Sequence, residues 1–151
     1  MDKAQILSRL RDLYNTNPFV HLLGIVIDDA GPGWAKSHLT VTPPLLNMDG
    51  FLHGGALGTL IDNLCGVAGR TLGRVVLTQN ISTSYIRNIP AGAAAHAECR
   101  VLHHGRHTMV MSVAAYSDEG KLLCEGVATM FVASVDERFT DLWEEDDVRG
   151  Q

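Results

Sequence analysis

Hydrophobic residues recur at helical spacing near the start of the chain. Ile6, Leu10 and Leu13, with Leu7 and Tyr14 beside them, form one stripe, which predicts a helix over Asp2–Tyr14. Asp2 suits the N-cap, and Asn17-Pro18 reads as a stop. The pattern then changes. Leu22–Asp29 reads as a strand, Ala30-Gly31-Pro32-Gly33 as a turn, and Trp34–Val41 as the returning strand, with Ala35, Ser37, Leu39 and Val41 on one face. Thr42–Leu52 is a loop with two prolines at its start, and its length alone suggests function. From Gly54 to about Gly69 helical spacing returns through Leu57, Leu60, Ile61, Leu64 and Ala68. Four strands follow, over about Arg74–Ile86, Ala94–His103, His107–Ser117 and Leu122–Val132, and Gly120 fits the left-handed position of a short hairpin turn.

One early helix followed by a run of antiparallel strands gives an α+β fold. The long central helix is apolar nearly all round, so a sheet of about six strands should wrap it. With no repeat and no linker, residues 1–135 read as a single domain with an N-terminal helix. Residues 136–151, with Glu144-Glu145-Asp146-Asp147, read as an acidic, solvated C-terminal tail that Phe139 and Trp143 could anchor in part.

Composition narrows the partners. A chain of 151 residues, 46% hydrophobic and 19% charged, is one globular domain by size and content. Its formal net charge of -5 argues against a nucleic-acid partner. No apolar run reaches the roughly 18 residues of a membrane span. The opening Met-Asp-Lys-Ala-Gln lacks a basic region followed by an apolar one, so no signal peptide is read there. Cys65, Cys99 and Cys124 are odd in number and lack Cys-x-x-Cys spacing, which points to a reduced, cytoplasmic setting.

Candidate chemistry gathers between Asn47 and Gly69. A polar loop bearing Asn47 and His53 opens into the central helix through Gly54-Gly55. A helix start has free N–H groups to offer an oxygen that gains negative charge. Eight residues after Gly54, one carboxylate, Asp62, interrupts the apolar helix. It shares a stripe with Gly55, Gly58, Gly66 and Gly69, and such a row implies that a strand, a partner subunit or a slim ligand arm presses close. Asp62 is a candidate base, or else a structural acceptor for a neighbouring backbone. Elsewhere the signals are weaker. His103-His104-x-x-His107 has metal-like spacing but sits on a hairpin with no carboxylate or Cys at ligand spacing, so no metal is expected. Cys65 reads as packing, and Ser82, Thr83 and Ser84 lack nucleophile-elbow glycines.

The pattern Asn47…Gly50…His53-Gly54-Gly55…Leu60-Ile61-Asp62 resembles the hotdog-fold acyl-CoA thioesterases of the phenylacetate-degradation (PaaI) type. Thr78–Tyr85, Arg100–Gly105 with Arg106, and Asp118–Val132 resemble the strands that follow in that family, so the likeness covers roughly residues 15–133. It implies a hotdog fold, hydrolysis of an acyl-CoA, and no resident cofactor, since coenzyme A enters as part of the substrate. It also implies roles. The Gly54 N–H would polarise the thioester carbonyl, with His53 and Gly55 beside it. Asp62 would act as general base or nucleophile on water held with Asn47, and Thr78 would hydrogen-bond the water or the carboxylate. Arg87 and Arg106 would meet coenzyme A phosphates, and Met48, Phe51 and Leu52 would line the acyl pocket, with Trp34 a weaker candidate. Each has a plainer reading: Asn47 as a turn residue, His53 as a helix cap, Thr78 as an ordinary strand residue, the arginines as solvated. The resemblance further implies a homo-oligomer, a dimer at least and commonly a dimer of dimers, in which the loop of one subunit faces Asp62 of the other. A non-catalytic acyl-CoA-binding hotdog protein and a hotdog hydratase or dehydratase are the alternatives.

Overall fold

The structure, a computed structural model, describes residues 1–144. Helix α1 spans Lys3–Asn15. Asp2 accepts the Gln5 N–H at 2.9 Å, and the Gln5 side chain accepts the Asp2 N–H at 3.0 Å. This reciprocal pair satisfies two donors that a helix start leaves bare. Ile6 and Leu10 are buried against the body, as the stripe predicts.

The next segment differs from the sequence reading. Asn17-Pro18 ends one helix and starts another, α2 (Pro18–Leu23). Asn17 caps it by accepting the Phe19 N–H at 3.0 Å, Pro18 occupies the first turn, and Gly24 closes it at φ 71°. Proline costs nothing where a helix has no use for its N–H, so a stop signal doubles as a start signal. Leu22 and Leu23 are therefore helical, and β1 runs from Val26 to Gly31. Ala30 and Gly31 are still paired, with Ala35 and Trp34, so the turn into β2 (Trp34–Thr40) shrinks to Pro32-Gly33.

The central helix α3 spans Gly54–Thr71, and its buried residues, from Ala56 and Leu57 through Leu64, Cys65 and Val67, lie on most of its circumference. β3 (Arg74–Tyr85), β4 (Ala94–His104), β5 (Thr108–Tyr116) and β6 (Leu122–Val135) complete one antiparallel sheet of six strands in the order β1-β2-β4-β5-β6-β3. The sheet wraps α3, which is the arrangement expected from the patterning and the resemblance. Gly120 takes φ 77° in the β5–β6 turn. β3 is an edge strand twelve residues long, with Leu77 and Tyr85 exposed on it.

Register decides which strand residues face the helix. Thr78 pairs with Met130, and Met130 with Met109; both methionines are buried. This row therefore points inward, and Thr78 lies beneath α3. Trp34 alternates with the buried Ala35, Ser37 and Leu39 and so stands on the outer face, where the Lys3 ammonium lies 5.3 Å from its ring. Among the described residues no helix is long and apolar enough to cross a membrane.

Part of the acidic segment packs rather than dissolving. Phe139 and Leu142 are buried, and the Trp143 indole donates to the Thr71 carbonyl at 2.8 Å, at the C-terminal end of α3. Residues 145–151, with most of the acidic run, lie outside the described residues. Asp136 is 7% exposed and accepts from Arg70 at 2.6 Å and from Arg138 at 2.8 Å. Hydrogen bonds from Arg138, against the opposing effect of burial, hold its carboxyl at about 2. A depressed folded-state value stabilises the fold above the unfolded carboxyl's range, near 4, and that stability is lost as pH falls from about 4 through about 2. Asp136→Asn should therefore lose about 2 kcal/mol at neutral pH and almost nothing extra near pH 2. Denaturant unfolding of both proteins across that range measures the difference, and a constant gap at all pH values would refute it.

Candidate active site

The loop before α3 is held by its own backbone. Leu46 pairs with Leu52, and the Asn47 N–H donates to the Phe51 carbonyl at 2.7 Å. The Asn47 side-chain oxygen accepts from the N–H groups of Asp49 and Phe51, each at 3.0 Å. Asn47 thus acts as the turn residue of this loop. Its amide nitrogen makes no hydrogen bond among the described residues, and that is the part left to meet a water or ligand.

His53 is the N-cap of α3, in extended backbone at φ -61° and ψ 133°. Its Nδ1 accepts the Gly55 N–H at 2.8 Å. That bond requires a bare Nδ1, so the neutral ring carries its proton on Nε2. A Cβ at Gly55 would lie 3.1 Å from Nδ1, which explains glycine there. The His53 carbonyl takes the N–H groups of Ala56 and Leu57. The Gly54 N–H is left exposed and without a partner among the described residues. It is a donor at the positive end of an 18-residue helix.

Asp62 is half-buried on the same helix. The Thr78 hydroxyl donates to its Oδ1 at 2.5 Å, across sixteen residues of sequence. One carboxylate oxygen is thereby held by β3, and the other makes no hydrogen bond among the described residues. At about 1.5 Å of rise per residue, Asp62 lies about 12 Å along the helix from Gly54. One protomer therefore separates the donor and the carboxylate by more than a single reacting carbon can bridge.

The remaining candidates are spread out. Leu52 is buried in the core, Phe51 is partly exposed, and Met48 stands fully in solvent. Arg87 donates to the Leu122 carbonyl at 3.1 Å and borders a cleft of about 490 Å³ with Asn88, Pro90, Ser117 and Lys121. Arg106 is in the turn after β4, and the Thr108 that follows pairs with Phe131, which pairs with Leu77. Arg87 instead follows Tyr85 at the other end of that ladder. At about 3.3 Å per residue the two ends are about 26 Å apart. Trp34 lies on the wrong face to line this site. It borders a hollow of about 670 Å³ on the outer side of the sheet, with Arg100, Ser112 and Glu125, that includes none of the motif residues. Cys65, one turn beyond Asp62, is fully buried, and contact with Cys99 together with that burial pushes its thiol far up, so it stays protonated and inert.

One residue escaped the sequence reading. Tyr85 closes β3 over the start of α3, and its hydroxyl donates to the Gly54 carbonyl at 3.1 Å. The signal was the glycine row. A Cβ at Gly58 would lie 3.0 Å from the Tyr85 hydroxyl, one at Gly66 would lie 3.2 Å from the Tyr14 hydroxyl, and one at Gly69 would lie 2.8 Å from Val76. What presses on the row within this chain is two tyrosines and a strand.

Comparison with known proteins bears on the family and the fold. The family profile described as the Thioesterase superfamily matches residues 49–124. The proofreading thioesterase EntH of Cronobacter sakazakii is 30% identical over 108 residues, which cover 70% of this chain and 78% of that protein. Among solved structures, the Escherichia coli PaaI protein from the phenylacetic acid degradation operon superposes with a TM-score of 0.81 at 24% identity, covering 89% of this chain and 96% of its own. A hypothetical thioesterase protein of Streptococcus pneumoniae, solved with coenzyme A, gives a TM-score of 0.78 at 26% identity, covering 83% of this chain and 98% of its own.

Proposed function

Since the chain belongs to the thioesterase superfamily, and is thus a thioester hydrolase, we propose that its substrate is an acyl-CoA, cleaved to a free acid and coenzyme A. The observation that carries the reading is the unpartnered Gly54 N–H at the head of a helix that also bears the Thr78-held Asp62. The thioester carbonyl accepts from Gly54 as its oxygen gains charge. Asp62 then works by one of two balanced routes. As a general base it takes a proton from water, the oxygen attacks the carbonyl carbon, and the thiolate leaves and is protonated. As a nucleophile it displaces the thiolate to form an anhydride, which water hydrolyses. The Asn47 amide is free to hold that water.

Because donor and carboxylate are about 12 Å apart on one helix, the working site takes Gly54 from one subunit and Asp62 from another. Two antiparallel copies of α3 satisfy this, and the long unpaired edge of β3 supports pairing with a second copy. The same arrangement would bring Arg87 of one subunit and Arg106 of the other to one end, where coenzyme A phosphates would lie. The relative solved with coenzyme A supports the choice of substrate. Coenzyme A belongs to the substrate in this reading, and no resident cofactor is invoked.

A panel of acyl-CoAs assayed by release of free thiol tests the proposal. Turnover of at least one aromatic or medium-chain acyl-CoA is expected. No thiol release from any member, by protein shown to be folded, would overturn the choice of substrate.

A further inference from the structure

The peptide between Gly54 and Gly55 is held at both ends by side chains from two different elements. His53 Nδ1 takes its N–H at 2.8 Å, and the Tyr85 hydroxyl donates to its carbonyl at 3.1 Å. A carbonyl has a second lone pair, so it can accept the hydroxyl beside a helical N–H. The Gly54 N–H belongs to the peptide immediately before. Its direction is therefore set by two fixed neighbours, one local and one brought from the far end of β3.

Tyr85 is placed for this with little freedom. Its backbone is registered against Cys124 in β6. Its ring carbons would lie 3.8 and 4.0 Å from a Cβ at Gly54. Its hydroxyl occupies the space that a side chain at Gly58 would need, at 3.0 Å. Glycine in a helix interior costs up to about 1 kcal/mol against alanine, and the hydroxyl gives Gly58 a reason to bear that cost. Desolvation pushes the phenol above the ordinary tyrosine range, so it stays protonated and remains a donor. The residue as a whole is still 55% exposed, which is unusual for one whose role is only to fill the core. Tyr14 makes a useful contrast. It meets Gly66 on the same row but is half-buried, and its hydroxyl is bound up with Arg70, away from the helix start.

We propose that Tyr85 is a positioning residue for the oxyanion donor: its hydroxyl, admitted by the missing side chain at Gly58, fixes the first turn of α3 so that the Gly54 N–H points at the developing charge. The inference rests on the reading of Gly54 as that donor. A donor contributes to the rate only if it is already aimed when charge appears, so the bond should act on turnover more than on substrate affinity.

The test uses wild type, Tyr85→Phe, Gly58→Ala and the double variant, each assayed on an acyl-CoA that wild type hydrolyses. Tyr85→Phe should lower kcat about three- to tenfold, the range that one neutral hydrogen bond commands, with KM within about twofold of wild type. Gly58→Ala displaces the hydroxyl and should lower kcat comparably while leaving helix stability equal or improved. The double variant should be no worse than the poorer single, since both changes remove one bond. A kcat for Tyr85→Phe within twofold of wild type, or effects that multiply in the double variant, would overturn the role. Amide hydrogen exchange reads the same peptide without turnover: its N–H, that of Gly55, is held by His53 Nδ1, so a peptide loosened in Tyr85→Phe should exchange faster there, and unchanged exchange counts against the proposal. Full activity in a protein lacking the Gly54 N–H, described below, would instead remove the donor reading itself, so the two failures are distinguishable.

Discussion

Asparagine in place of Asp62 is expected to lower turnover by at least about a hundredfold, the scale for loss of a general base. The substitution keeps the size of the side chain and its acceptor oxygen, so the Thr78 hydroxyl retains a partner. It removes the negative charge and the basic lone pairs that either route requires. Asp62 is half-buried, and exchanging a carboxylate for an amide there should leave the melting temperature close to wild type. Steady-state kinetics with circular dichroism separate loss of chemistry from loss of fold. Near-wild-type turnover in the variant would remove Asp62 from the mechanism.

Gly54→Pro is expected to be as damaging, by about a hundred- to a thousandfold, the cost of deleting one oxyanion-hole donor. A backbone donor is normally beyond the reach of substitution, but this position is an exception. Gly54 is the first residue of α3, where proline is favoured. His53 already has the extended backbone that a residue before proline prefers, at φ -61° and ψ 133°. A Cβ at Gly54 meets only Tyr85 carbons, at 3.8 Å or beyond. Proline therefore deletes the N–H while the helix start keeps its form. A folded Gly54→Pro protein with full turnover would show that the carbonyl is polarised elsewhere.

Mixing the two variants probes the shared site. A mixed dimer would hold one site with both residues intact and one with both damaged. Random exchange makes half the dimers mixed, so about a quarter of wild-type activity should return. If mass spectrometry shows exchange and no activity returns, donor and carboxylate do not come from different subunits.

Much of this molecule was legible before any coordinates, and the reason differs from element to element. The stripe of α1 and the alternation of β2 report burial directly, because a single buried face imposes its period on the residues that cover it. α2 was missed because Asn17-Pro18 carries two meanings and the whole helix, Pro18–Leu23, is six residues long, too few for a helical period to show. Trp34 is the weaker of the acyl-pocket candidates, and its parity along β2 places it opposite Ala35 and Leu39, on the outer face. The glycine row on α3 announced close contacts without naming what made them.

What the sequence by itself determined is local: the caps and periods of the helices, the alternation of the strands, and a loop, a helix start and a carboxylate at fixed spacing on one rigid element. Such features depend on residues a few positions apart, and their geometry follows from the rise and period of one helix or strand. Only the tertiary structure decided which side chains from elsewhere meet that element. Thr78 reaches Asp62 across sixteen residues and Tyr85 reaches Gly54 across thirty-one, because the register of β3 against β6 turns those two positions toward the helix. A shift of one residue would turn both away. That register is set by the packing of the whole sheet around α3, and no window of sequence contains it.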